Sequence, residues 1–123
     1  MEGLLEALET GAEPSKFVVQ FSLGRLDVIP LGIVGSNAAE LIASDMMADF
    51  LNSLRQLYPD WVIIVDGSSV LHSADPLALA NAVDGVVLVV RAGQTPEDEV
   101  SRATELLDRK KILGVVLNDA PKV

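Results

Sequence analysis

Residues 60–91, DWVIIVDGSSVLHSADPLALANAVDGVVLVVR, decide the fold. They open on an apolar run, 61–65 (WVIIV), that ends in a single aspartate, Asp66. A small polar turn follows at 67–69, then a segment with helical potential over 75–83. A second apolar run, 86–90 (VVLVV), ends in Arg91. Both runs are rich in Val and Ile and too short for an ordinary helix. They predict strands buried on both faces, as in a parallel sheet covered by helices. A strand closed by an aspartate and a small-residue turn sets that carboxylate at the C-terminal edge of the sheet, where open α/β sheets bind ligands.

Downstream, Thr95 is placed to cap a helix whose first residue is Pro96, with Glu97 and Asp98 favouring the helix dipole. Val100, Ala103, Leu106 and Leu107 form its apolar face, and Arg109, Lys110 and Lys111 close the pattern where cations suit the dipole. A last apolar strand, 112–117 (ILGVVL), ends in Asn118 and Asp119. From Trp61 onward the order strand, helix, strand, helix, strand predicts two right-handed βαβ units.

Upstream, the spacing of Leu41, Ile42, Met46, Phe50, Leu54 and Leu57 predicts one long helix, capped by Ser36 or Asn37 and ended by 58–60. Met46 and Met47 read as core filler. Residues 16–21 (KFVVQF) and 26–29 are candidate strands, the second stopped by Pro30. They form a hairpin, or only 26–29 joins the main sheet. Residues 2–10 suit a short helix with Leu4, Leu5 and Leu8 on one face and Gly11 as its stop.

The chain has 123 residues, enough for a single domain spanning 1–123. Half of them are apolar and few are aromatic, so the core is aliphatic. A formal charge of −9 repels phosphate backbones and argues against nucleic acid as a partner. Cysteine is absent, which excludes disulfides and thiolate metal sites. The acidic, amphipathic start does not read as a signal peptide, and no apolar run approaches the roughly 20 residues that span a bilayer. A soluble, cytoplasmic chain is expected.

Asp66 is the sharpest candidate for chemistry. Strand-end aspartates hold magnesium in P-loop enzymes, directly or through water; a turn cap is the plain alternative. The phosphate cradle GxxxxGK[ST] occurs nowhere, and the glycines at 32 and 35 have the wrong spacing and no lysine. Ser68, Ser69, His72 and Asp75 hold the residue types of a serine triad, but GxSxG is absent and four such residues within eight positions do not converge as triad partners do. No catalytic residue is assigned. A metal site built on one histidine and scattered carboxylates is weak. Asn118 could meet a nucleotide base edge or simply cap the Asn–Asp turn.

With these residues in view, the chain resembles the bacterial tyrosine autokinases of capsule and exopolysaccharide biosynthesis, a branch of the Min- and Par-type P-loop ATPases. The resemblance runs through MEGLLEAL, LDVIPLGIVGSNAAELIASDMM, YPDWVIIVDGSSVLHSADPLALANAVDGVVLVVRAGQT and ILGVVLND. It covers nearly the whole chain and corresponds to about the C-terminal two-thirds of the family's domain. It implies an α/β fold, a mostly parallel sheet with flanking helices, in a truncated or degenerate P-loop NTPase-like (Rossmann-like) form. By the same resemblance Asp66 matches the Walker B aspartate, Asn118 the base-side asparagine, and Arg91 an arginine of the family's VVRaG stretch. ATP and magnesium would be bound only if the part bearing the Walker A loop were supplied; none is expected for the isolated chain. The usual DsPP after the Walker B strand is here Asp66–Gly67–Ser68–Ser69, and the tyrosine-rich tail is missing, Tyr58 being the only tyrosine.

The expectation is a non-catalytic relative of the kinase domain, an interaction or regulatory module in polysaccharide biosynthesis or export. The alternative is the C-terminal part of a working autokinase; a flavodoxin-like receiver or carrier is the third reading. Loss of the P-loop strand would leave apolar strand edges open, which invites pairing. Either the sheet closes up around the gap, or the edge is filled by the 16–21 strand or by another chain; a homodimer or a partner from polysaccharide assembly, such as a membrane chain-length regulator, is expected, and such a partner would bring the chain to the inner membrane.

Overall fold

The computed structural model describes residues 1–22, 24–73 and 75–122. The chain divides into two compact units, Met1–Asp66 and Gly67–Val123.

The first unit is helical with one small hairpin. Helix α1 (Leu4–Thr10) is followed by a 3₁₀ turn at Pro14–Phe17, strands β1 (Val19–Gln20) and β2 (Asp27–Val28), and helices α2 (Ala38–Ile42) and α3 (Asp45–Leu57). α1 ends as expected at Gly11, whose left-handed backbone returns its N–H to the Ala7 carbonyl. β1 and β2 pair antiparallel, Val19 with Val28 and Gln20 with Asp27, so the hairpin alternative holds. Residues 16 and 17 do not join the strand: Pro14, at the first helical position, favours the tight 3₁₀ turn instead.

The long helix expected from Asn37 to Leu57 is two helices. Ser44 breaks it, with an extended backbone and a hydroxyl that donates to the Leu41 carbonyl at 2.5 Å. Short polar side chains compete in this way with the helical ladder. Asn37 stands at the start of α2, but its amide donates to the Glu9 carboxylate at 3.1 Å rather than capping the helix. Leu5, Ala7 and Leu8 from α1, Leu41 from α2, and Met47, Phe50, Leu51 and Leu54 from α3 are all buried. Met46, expected with Met47 in the core, is exposed.

A clasp fixes α1. Its first free N–H groups, on Leu4 and Leu5, donate to the carbonyls of Pro30 and Leu31 at 2.8 and 2.9 Å. The Glu6 carboxylate accepts from Gly3 N–H at 2.7 Å and Ile33 N–H at 2.8 Å. Position 3 must be glycine, because a Cβ there would run into the Pro30 carbonyl. The Ile33 and Gly3 N–H groups hold the Glu6 carboxyl below its ordinary value of 4.5. The unfolded chain therefore binds the more protons near that pH, and stability rises with pH. The contribution is present above the ordinary value and is lost as pH falls through the lowered one. Urea unfolding followed between about pH 5 and 3 should show an acid loss that Glu6→Gln largely removes; an identical pH profile in the variant would refute the clasp.

The second unit carries helix α4 (Asp75–Ala82), strand β3 (Val86–Arg91), helix α5 (Glu97–Leu106), a 3₁₀ turn at Arg109–Lys111 and strand β4 (Ile112–Asn118). β3 and β4 are parallel, from Val86 opposite Ile112 to Arg91 opposite Asn118, with one register shift after Val86. This is the expected right-hand end of the βαβ rhythm. Ala80, Leu88, Ala103 and Leu107 form the core between the helices and one sheet face. The basic run does not cap its own helix. Lys111 reaches across to α4 and donates to the carbonyls of Ala80, Asn81 and Val83 at 2.8 to 3.2 Å, satisfying that helix's C-terminus.

Residues 61–66 are not in a hydrogen-bonded ladder. They alternate half-buried and exposed, with Val62 and Ile64 89% and 87% exposed. The period of two is that of a strand. The ladder is missing because, among the described residues, no second strand lies alongside.

Candidate functional site

Asp66 closes the 61–66 segment and is exposed at the end of the first unit. Among the described residues no three His, Cys, Asp or Glu side chains are grouped to hold a metal ion. Magnesium takes six oxygens and is usually held by one or two carboxylates with phosphate oxygens and waters. Asp66 fits one such ligand. It would hold the ion only alongside a nucleotide's phosphates.

In the second unit the C-terminal ends of β3 and β4 bring Arg91 and Asn118 into register. Arg91 donates through Nε to the Asp119 carboxylate at 3.2 Å, and its Nη2 lies 3.1 Å from the same oxygen. Asp119 adopts a left-handed backbone, φ 59°, a conformation that aspartate tolerates better than most residues. The Asn118 carbonyl accepts from Ala92 N–H at 2.9 Å, tying the two strand ends together. Thr95 was expected to cap α5. Its hydroxyl instead accepts from Arg91 N–H at 3.0 Å, and Pro96 takes the cap position.

A shallow open cleft at this edge is lined by Val90, Arg91, Gly93, Thr95, Glu97 and Leu117, among others. A helix N-terminus beside strand ends is the usual place for phosphate. Here the first turn of α5 is Glu97, Asp98 and Glu99, which neutralises that field. The nearby guanidinium is occupied by Asp119. The arrangement leaves Asn118 able to hydrogen-bond a neutral group such as a base edge, and offers a phosphate little.

The Ser69 hydroxyl and His72 Nδ1 are 2.8 Å apart, and His72 N–H donates to the Ser69 carbonyl at 3.3 Å. This is an exposed turn. Asp75 bonds to neither; its N–H donates to the Ser73 hydroxyl at 3.3 Å. No triad forms among the described residues. Asp119, the partner of Arg91, was missed in the sequence. The signal was available, since Arg91 and Asn118–Asp119 close two strands of matching length.

A parallel sheet flanked by helices, with an acid at one apolar segment's end and an Arg and Asn at the next strands' ends, is an α/β arrangement of the P-loop kinase-domain type. Relatives of this chain are bacterial tyrosine-protein kinases, and its structural neighbours include kinase domains of the same family, matched over their C-terminal part. The tyrosine-protein kinase CpsD of Streptococcus agalactiae serotype III is 28% identical over 120 residues, 96% of this chain and 51% of that protein. The tyrosine-protein kinase YwqD of Bacillus subtilis is 34% identical over 95 residues, 76% of this chain and 39% of that protein. The crystal structure of the VpsO kinase domain superposes with a TM-score of 0.86 at 29% identity, covering 98% of this chain and 59% of that one. No family model matches the chain. The chain spans about half the length of the curated relatives it matches. No helix among the described residues is long and apolar enough to cross a membrane.

Proposed function

We propose that this chain is a non-catalytic, P-loop-less relative of the exopolysaccharide tyrosine kinase domain, an interaction or regulatory module of polysaccharide biosynthesis or export. Residues 1–123 would work as one α/β domain in the cytoplasm. The inner membrane would be reached through a partner, a membrane chain-length regulator being the natural kind. One observation carries the reading: where an anion would sit at the sheet's C-terminal edge, the α5 first turn is acidic and Arg91 is held by Asp119. The sequence itself lacks GxxxxGK[ST]. In this reading Asp66 and Asn118 keep their positions without serving ATP.

A second reading is favoured by the exposure of Val87 and Val89, apolar residues on one face of β3. The chain would be the C-terminal part of an active ATP-dependent tyrosine kinase. Asp66 would then hold magnesium and Asn118 the base once the Walker A part is supplied.

Calorimetry of ATP-Mg, against the isolated chain and then with the Walker A part added, separates them. No binding is expected at micromolar concentrations. Micromolar binding abolished by Asp66→Ala would overturn the first reading and put the enzyme reading ahead. ATP binding that appears only when the missing part is added would support the second.

A further inference from the structure

Helix α1 is fastened to the 30–37 loop from end to end. The N–H groups of Leu4 and Leu5 donate to the carbonyls of Pro30 and Leu31, and the Glu6 carboxylate accepts from Ile33 N–H. Three residues on, the Glu9 carboxylate accepts from the Asn37 amide at 3.1 Å. Gly32, at φ 97°, passes so close to the Glu6 carboxylate that a Cβ there would collide with it. The loop leads straight into α2, where Leu41 N–H donates to the Asn37 carbonyl at 3.0 Å. α1 also packs against α2 and α3, with Leu5, Ala7, Leu8 and Leu41 all buried.

α1 has seven residues, and isolated helices shorter than about 12–15 residues are marginal in water. It is therefore helical only while docked. Undocking and unwinding are one event, which frees the loop and uncovers Leu41 together. α3 is built differently. It has 13 residues and a buried face of its own, Met47, Phe50, Leu51 and Leu54. The hydrogen bonds just named tie α1 to the loop, not to α3.

We propose that α1, the 30–37 loop and α2 form a detachable strap. They open as one element, ahead of α3, when the Glu6 and Glu9 carboxylates let go of the loop, and the opening bares the apolar surface around Leu41. The device does not depend on whether the chain binds a nucleotide.

Native-state amide exchange of the 1–123 chain in low urea tests this. The amides of Leu4, Leu5, Ile33, Leu41 and Ala43, each hydrogen-bonded, are expected to share one urea dependence and one opening free energy. The α3 amides of Phe50, Leu51 and Leu54 are expected to open only at a higher one. Glu6→Gln leaves one acceptor where the Gly3 and Ile33 N–H groups both point. It should speed exchange of the whole strap by about 10-fold, the worth of hydrogen bonds to a charged acceptor, and leave the α3 amides unchanged. Acceleration confined to Gly3 and Ile33 would show that the bonds are local and that no strap exists. Equal acceleration at Phe50, Leu51 and Leu54 would make α1 an inseparable part of the core. Either result overturns the proposal. If Glu6→Gln does not fold, the wild-type exchange decides: strap and α3 amides opening at the same free energy would overturn it too.

Discussion

Phe50→Ala is expected to unfold most of the first unit at room temperature. Phe50 sits in the middle of α3, 8% exposed, on the same buried face as Met47, Leu51 and Leu54. Truncating a buried phenylalanine costs about 3–5 kcal/mol, from lost transfer free energy and the cavity left behind. A body of this size draws only about 3–5 kcal/mol from its core. The two quantities are comparable, so the variant has little stability left. The chain's single tryptophan, Trp61, lies in this unit and stacks on Tyr58 with ring centroids 3.7 Å apart. Its fluorescence therefore reports unfolding here. A urea transition that moves by the equivalent of less than about 1 kcal/mol would show that α3 does not organise the unit. The result bears on function, because Asp66 closes this unit and any role for its carboxylate requires the unit to be folded.

What the sequence made legible was mostly local pattern. The runs at 86–90 and 112–117 became β3 and β4 with nearly the expected ends, because five β-branched and leucine residues in each, between polar turns, leave few alternatives. Gly11 stopped α1 as expected, since a left-handed C-cap is a property of a few residues. The failures involve competing partners, some distant in sequence and some, as at Ser44 and Thr95, within one turn. Residues 61–65 have the pattern of a strand, but strand pairing belongs to two segments and among the described residues none pairs with this one. Thr95, Asn37 and Lys111 each carry a group that could cap the nearest helix. Each is instead bonded elsewhere: to Arg91, to Glu9, and to the end of α4. Local spacing cannot rank such competing acceptors. The site was legible to the same degree. Asp66, Arg91 and Asn118 were correctly set at segment ends, while the ion pair to Asp119 that changes what Arg91 can do was not.

The two faces of β3 should respond oppositely to substitution, and this is the second large effect. Leu88→Ala should cost about 2–5 kcal/mol. Leu88 packs with Ala80, Ala103 and Leu107, and Val70, Leu71, Leu77, Val86 and Ile112 lie against that cluster, so truncation opens a cavity in the centre of the unit's core. Val89→Thr, one residue on, should change stability by no more than about 0.5 kcal/mol, because its side chain is already largely in water. The unit contains no aromatic residue, so the readout is hydrogen exchange of the β3 and β4 amides in urea. In a sheet covered on both sides the two substitutions would both be costly, since burying a threonine hydroxyl without a partner is itself unfavourable. A large loss from Val89→Thr in the isolated chain would mean that the face is already covered, by another copy or by the chain itself. A small loss would identify Val89 as solvent-exposed, one residue from a leucine on which the unit's core depends.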